Sequence, residues 1–121
     1  MSLTELLVPT YRQMLRMLGG LLDKAQRQMP GQAEAFLSAR LAADMYPLAT
    51  QLRFAALQAQ EAVFRLRGEP MPPSLDELAA EGRHAGEVPG LISDARKRID
   101  EALSLLDGLA LSLIHISEPT R

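Results

Sequence analysis

The chain contains no cysteine and no tryptophan. Without cysteine there can be no disulfide, no thiolate metal ligand and no cysteine nucleophile, which fits a reducing compartment. Aromatic residues are few, namely Tyr11, Phe36, Tyr46, Phe54 and Phe64, too scattered for a base-stacking surface. Neither sign of charge dominates. Thirteen Lys and Arg stand against fifteen Asp and Glu, a net charge of −2, so neither nucleic acid nor an anionic membrane surface is an expected partner. No apolar run reaches the roughly 18 residues of a membrane span. Signatures for phosphate cradles, dinucleotide binding and the serine-hydrolase nucleophile elbow are all missing. The opening stretch MSLTELLVPTYRQ has no basic n-region and no small-residue cleavage site, so no signal peptide is expected and the cytoplasm is the expected compartment.

What is present is a helical composition. The 121 residues suffice for one small domain around one core, and 47% are apolar. Leu, Ala and Met dominate, and β-branched residues are scarce before the last dozen positions, which predicts an all-α, up-and-down helical bundle. Leu3, Leu7, Tyr11, Met14, Leu18, Leu22 and Ala25 recur at steps of three and four and mark one face of a first helix. Pro9 lies near its start, and Gly19 and Gly20 suggest close contact with a neighbouring helix. Met29-Pro30-Gly31 breaks the pattern, and residues 33–41 suit a short helical piece.

Asp44 is then the expected N-cap of a second helix, with Pro47 in its first turn and a face of Leu48, Leu52, Ala55, Ala59, Ala62, Val63 and Leu66. Gly68 ends it, and Glu69-Pro70-Met71-Pro72-Pro73 is a stiff linker. Ser74 and Glu77 read as a capping box opening a short helix, interrupted by Gly82, Gly86, Pro89 and Gly90. A third long helix is expected from about Val88 to Leu106, burying Leu91, Ile92, Ala95, Ile99, Leu103 and Leu106 and exposing Arg96, Lys97, Arg98, Asp100 and Glu101. The methionines at 14, 17, 29, 45 and 71 read as core filler and loop residues.

Three residues near the second helix carry candidate chemistry. Arg40 has a planar fork suited to carboxylate or phosphate, although an arginine there more often pairs with an acid. Asp44 could offer a pocket carboxylate, against the favoured reading as a cap. Tyr46 could present a phenol, against simple packing with its hydroxyl at the rim. Of the two histidines, His84 sits in the glycine-rich break and reads as an exposed loop residue.

The stretches LLVPTYRQMLRMLGGLLDKA, ARLAADMYPLATQLRFA and AVFRLRGEPMPPSLDEL, in this order, resemble an uncharacterised bacterial family of the DinB/YfiT-like superfamily. The most specific part is residues 40–48 with Gln51. The resemblance spans roughly residues 1–110 and departs from the family pattern around Ala79 to Gly90. It implies a long four-helix bundle, described as a metalloenzyme candidate, with a histidine-rich fourth helix after position 110. This chain then carries three long helices of the intended four. The superfamily's metal site uses three histidines on facing helices with an open position for water or substrate. A lone His84 cannot supply it, and Gln51, near where a ligand histidine occurs in the superfamily's second helix, is a poor transition-metal ligand.

The last eleven residues, LSLIHISEPTR, resemble the in-frame translation of a transposon-derived sequencing adapter. Residues 1–110 are therefore expected to be a partial bundle domain and 111–121 a non-native tail, which leaves His115 without a role. An apolar seam left open for a fourth helix predicts weak stability, homodimerisation or aggregation. For function, the expectation is a bundle that has lost the metal site and binds a small ligand near Arg40, Asp44, Tyr46 and Gln51, or dimerises, with this chain catalytically inert. The alternative is a metal-dependent enzyme of the superfamily, with a divalent metal bound only in a complete protein.

Overall fold

The computed structural model describes residues 2–40 and 44–117, with 110–117 described by their backbone alone. The described residues are all-α. Four helices are joined in the order α1 (Leu3–Gln28), α2 (Leu48–Arg67), α3 (Pro73–His84) and α4 (Ile92–Ser117), with a 3-10 segment, Ala33–Ser38, between α1 and α2.

Each helix end has a local cause. The Ser2 hydroxyl caps α1 by accepting from the Glu5 amide at 3.1 Å. Pro9 lies inside α1 and withholds the N–H that would reach the Glu5 carbonyl. Gly68 ends α2 as the sequence predicts, in a left-handed conformation (φ 69°) that brings the Glu69 amide to the Phe64 carbonyl at 3.0 Å.

Two expected caps are not used. α2 starts at Leu48 with Pro47 as its N-cap residue, so Asp44 lies too far upstream to cap it. The Leu48 amide instead donates to the Ala39 carbonyl at 2.8 Å, and Thr50 and Gln51 donate to Pro47. α3 begins at Pro73, not after Ser74, because Pro72 and Pro73 already hold the backbone angle that a first turn needs. Ser74 and Glu77 therefore sit within the first turns of α3, and neither side chain makes a cap bond.

α4 begins at Ile92, four residues later than the pattern suggested. Leu91, expected in the core, precedes the helix and is exposed; its amide donates to Asp94 Oδ2 at 2.9 Å. The Ile92 amide is capped from 58 residues away by Glu34 Oε2 at 2.6 Å, a carboxylate placed where the helix dipole favours it.

The helices alternate in direction. Arg12 meets Asp107 at 2.9 Å and Arg96 meets Asp23 at 2.7 Å, so α1 and α4 are antiparallel. A Cβ added at Gly90 would lie 3.5 Å from Arg53 Nη2 and one at Gly108 3.6 Å from Arg67 Nη2, so α2 and α4 run parallel. α3 runs back along α2, with Gly82 against Phe54. The short helix that the sequence sets apart from the three long ones is thus a bundle member in its own right, and the described residues hold four alternating helices.

α2 and α4 form the central pair, with α1 packed on α4 and less closely on α2, and α3 packed on α2 alone. Leu52, Val63, Ile99 and Leu106 of this pair and Leu15 and Leu22 of α1 are fully buried. Each contributes about 1.5–3 kcal/mol through removal from water. Gly82 does not break α3: a Cβ there would stand 2.6 Å from Phe54 Cε1, so its absence permits the α2–α3 approach. At Gly19, Arg96 lies across α1 and donates to the Gly19 carbonyl at 2.8 Å. Met17, expected as filler, is 67% exposed and shares the outer face of α1 with exposed Leu3 and Leu6. No helix among the described residues is long and apolar enough to cross a membrane. Leu41, Ala42 and Ala43 from the most specific stretch of the resemblance, the His115 side chain and residues 118–121 lie outside the described residues.

Candidate functional site

The end of α1, the 3-10 segment and the start of α2 converge on a cleft of about 350 Å³. Leu21, Phe36, Ala39 and Leu48 line it with apolar surface, and Arg40 and Gln51 supply the polar groups. The cleft exists because Met29-Pro30-Gly31 turns the chain out of α1 and Leu37, fully buried, anchors the 3-10 segment against the bundle. The Gln51 amide donates to the Tyr46 carbonyl at 2.7 Å, and Arg40 Nη1 donates to the Met45 carbonyl at 3.3 Å. Both bonds reach the Met45-Tyr46 backbone just before α2 and orient the two polar side chains. No acid pairs with Arg40 among the described residues. A guanidinium placed at the rim of an apolar cleft can hold a carboxylate or phosphate in bidentate fashion.

Of the four residues singled out from the sequence, Arg40 and Gln51 line this cleft. Tyr46 lends its carbonyl, while its ring packs edge-on against Phe54 with centroids 5.6 Å apart. Asp44 is exposed and makes no hydrogen bond or ion pair with any described residue. No local pattern indicates that Leu21, Phe36 and Ala39 form the apolar wall, because they come from segments joined only by the turn at Gly31.

The arrangement does not fit a metal. Arg40 cannot coordinate one, His84 is exposed at the end of α3, and no group of three or more His, Cys, Asp or Glu among the described residues could hold an ion.

A second polar cluster ties α3 to the central pair. Glu81 receives Arg53 Nε at 3.1 Å and Arg98 Nε at 3.0 Å. Arg53 is 3% exposed and also donates to the Ala49 carbonyl at 3.0 Å. Partial burial pushes the Glu81 carboxyl up, but the hydrogen bonds from Arg98 and Arg53 and their charges outweigh it and hold it below its usual value. Bonds to Glu81 and Glu101 in turn raise Arg98. Arg98 and Glu101 read from the sequence as part of a solvated face; nothing in the local pattern marks Arg53 as buried.

No curated protein and no solved structure matches this chain. Residues 3–118 match a protein family described as a domain of unknown function, DUF1993. With nearly its whole length inside that match, the chain belongs to the DUF1993 family.

Proposed function

We propose that this DUF1993 protein is a non-catalytic, DinB-like bundle that binds a small amphipathic anion in the cleft at Arg40 and Gln51. The observation that carries the reading is the pairing of an apolar wall (Leu21, Phe36, Ala39, Leu48) with one guanidinium that has no acidic partner. An apolar body with one carboxylate would satisfy both, as small-ligand sites generally combine apolar lining with a few placed polar groups. The alternating four-helix order and the three quoted stretches support the DinB-like kinship. The cysteine-free composition supports a cytoplasmic setting. We also read residues 111–121 as adapter-derived, on the strength of the eleven-residue resemblance. Sequencing the locus past codon 110 tests this, and a genomic frame encoding LSLIHISEPTR would refute it.

The binding test is a thermal melt with octanoate and with octanol. Octanoate should raise the midpoint saturably, as a ligand of the folded state must. Octanol should do so weakly, and Arg40→Met should remove the difference between them. No octanoate effect, or the same effect in Arg40→Met, sinks the reading. A second reading, a homodimer, is favoured by the exposed Leu3, Leu6 and Met17 on α1. Sedimentation should then show a dimer that Met17→Glu converts to monomer; a monomer at all concentrations rules it out.

A further inference from the structure

The apolar faces that the sequence marks on α1 and α2 are wider than the core needs. On α1 the buried positions are Val8, Leu15, Gly19, Leu22 and Ala25, while Leu3, Leu7, Tyr11, Met14, Leu18 and Leu21 all keep some exposure. On α2, Leu48, Gln51, Ala55, Gln58, Ala62 and Leu66 do the same. Each set recurs at steps of three and four, so each forms one stripe along its helix.

The two stripes face each other. At one end Leu3, Leu7 and Tyr11 share a cavity of about 390 Å³ with Gln58, Ala62 and Leu66. At the other, Leu21 shares with Leu48 and Gln51 the cleft of about 350 Å³ that holds Arg40. Both volumes fall in the range of roughly 300–1,000 Å³ usual for ligand sites. α1 packs less closely on α2 than on α4, and the two cavities are the ends of one valley between the antiparallel pair.

The ends differ in charge. Arg40 has no acidic partner among the described residues, so the cleft end offers a guanidinium to a carboxylate. At the far end Glu61 and Arg65 are of opposite sign and cancel, and Leu3, Leu7, Ala62 and Leu66 make most of the wall. A charged head is thus selected at one end and an uncharged tail at the other. From Gln51 to Leu66 the helix rises by about 22 Å, close to the extended reach of a palmitoyl or stearoyl chain. A small anion fills only the first cavity, whereas a long chain also covers the exposed apolar floor between the two.

We propose that the valley between α1 and α2 binds one long-chain fatty acid lengthwise, with its carboxylate at Arg40 and its methyl end among Leu3, Leu7 and Leu66. This rests on the reading of the cleft at Arg40 as a carboxylate site and names the class of ligand that fills it.

Calorimetric titration of the full chain with octanoate, decanoate, laurate and myristate, each below its micelle-forming concentration, tests the extension separately from the head site. Affinity should rise about fivefold for each added pair of methylenes, as partial burial of CH₂ groups requires. Ala62→Phe, which fills the far cavity, should weaken myristate at least tenfold and leave octanoate unchanged. A label fixes the direction without any substitution. Stearate carrying a nitroxide near its methyl end should broaden the amide NMR signals of Leu7 and Ala62, and one carrying it near the carboxylate those of Leu21 and Gln51. Equal affinity for octanoate and myristate overturns the long-chain proposal and leaves the carboxylate site standing, whereas no binding of either overturns both. A methyl-end nitroxide that broadens Leu21 and Gln51 instead also overturns it. So does a dimer in sedimentation that Ala62→Phe disperses while myristate affinity holds, since a second copy would then occupy the valley.

Discussion

Replacing Glu81 by glutamine keeps the shape of the side chain and removes its charge. In the native protein this carboxylate faces two guanidiniums, Arg53 Nε at 3.1 Å and Arg98 Nε at 3.0 Å. Arg98 retains Glu101, but Arg53, almost wholly buried, keeps only the Ala49 carbonyl. Breaking a fully buried pair costs about 3–5 kcal/mol, and an exposed one about 0–1. The Glu81 side chain is 34% exposed, which places the expected loss near 2 kcal/mol after screening by solvent. For a domain of this size that is a fall in melting temperature of about 10 °C. The loss must also depend on pH. Glu81 has its carboxyl held below 4.5 in the folded protein, so its contribution is present above that value and disappears as the pH falls through the folded value. Urea denaturation of both proteins between pH 7 and pH 3 should show a gap that is largest at neutrality and closes in acid. A gap below about 0.5 kcal/mol at pH 7, the range of neutral surface changes, would refute the argument. So would a gap that stays constant as the pH is lowered.

Two more substitutions probe the packing. Gly82→Ala gains roughly 1 kcal/mol of helix propensity but forces a methyl group to 2.6 Å from Phe54, an overpacking cost of about 1–3 kcal/mol. A net loss near 1 kcal/mol is expected in denaturant melts, and combining it with Phe54→Leu should recover it. Thr50→Val removes a buried hydroxyl that has no hydrogen-bond partner. It should leave stability unchanged or raise it by about 1 kcal/mol, whereas a loss above that would mean that Thr50 Oγ1 is satisfied in solution.

The long helices were legible because burial along them repeats every three to four residues: Leu22, Leu52 and Ile99 lie where the apolar spacing puts them, whereas on α1 Leu15, outside the expected face, is fully buried and Leu3, within it, is exposed. Gly68 was legible because a glycine after a helical run has one common use. What escaped depends on partners distant in sequence. Glu34 sets the start of α4 from 58 residues away, and the Ala39 carbonyl takes the place of Asp44 at the start of α2. Gly82 has the local signature of a breaker, and only the approach of Phe54 distinguishes it from one. At the candidate site, Arg40 and Gln51 were visible as polar residues beside a helix start. The apolar wall opposite them was not, since it is assembled from separate segments.

The way α1 is fastened has a consequence for the order of assembly. α2 and α3 meet through Arg53 and Glu81, only 28 residues apart, and can pair as a local helical hairpin. α1 is secured to α4 through Arg96 and Asp23, 73 residues apart. Closing the longer loop costs roughly 1 kcal/mol more in chain entropy. The hairpin should therefore be in place early, and the first helix made should be among the last to dock. Substitutions at Asp23 or Arg12 should then change how fast the native protein comes apart, and hardly affect how fast it forms.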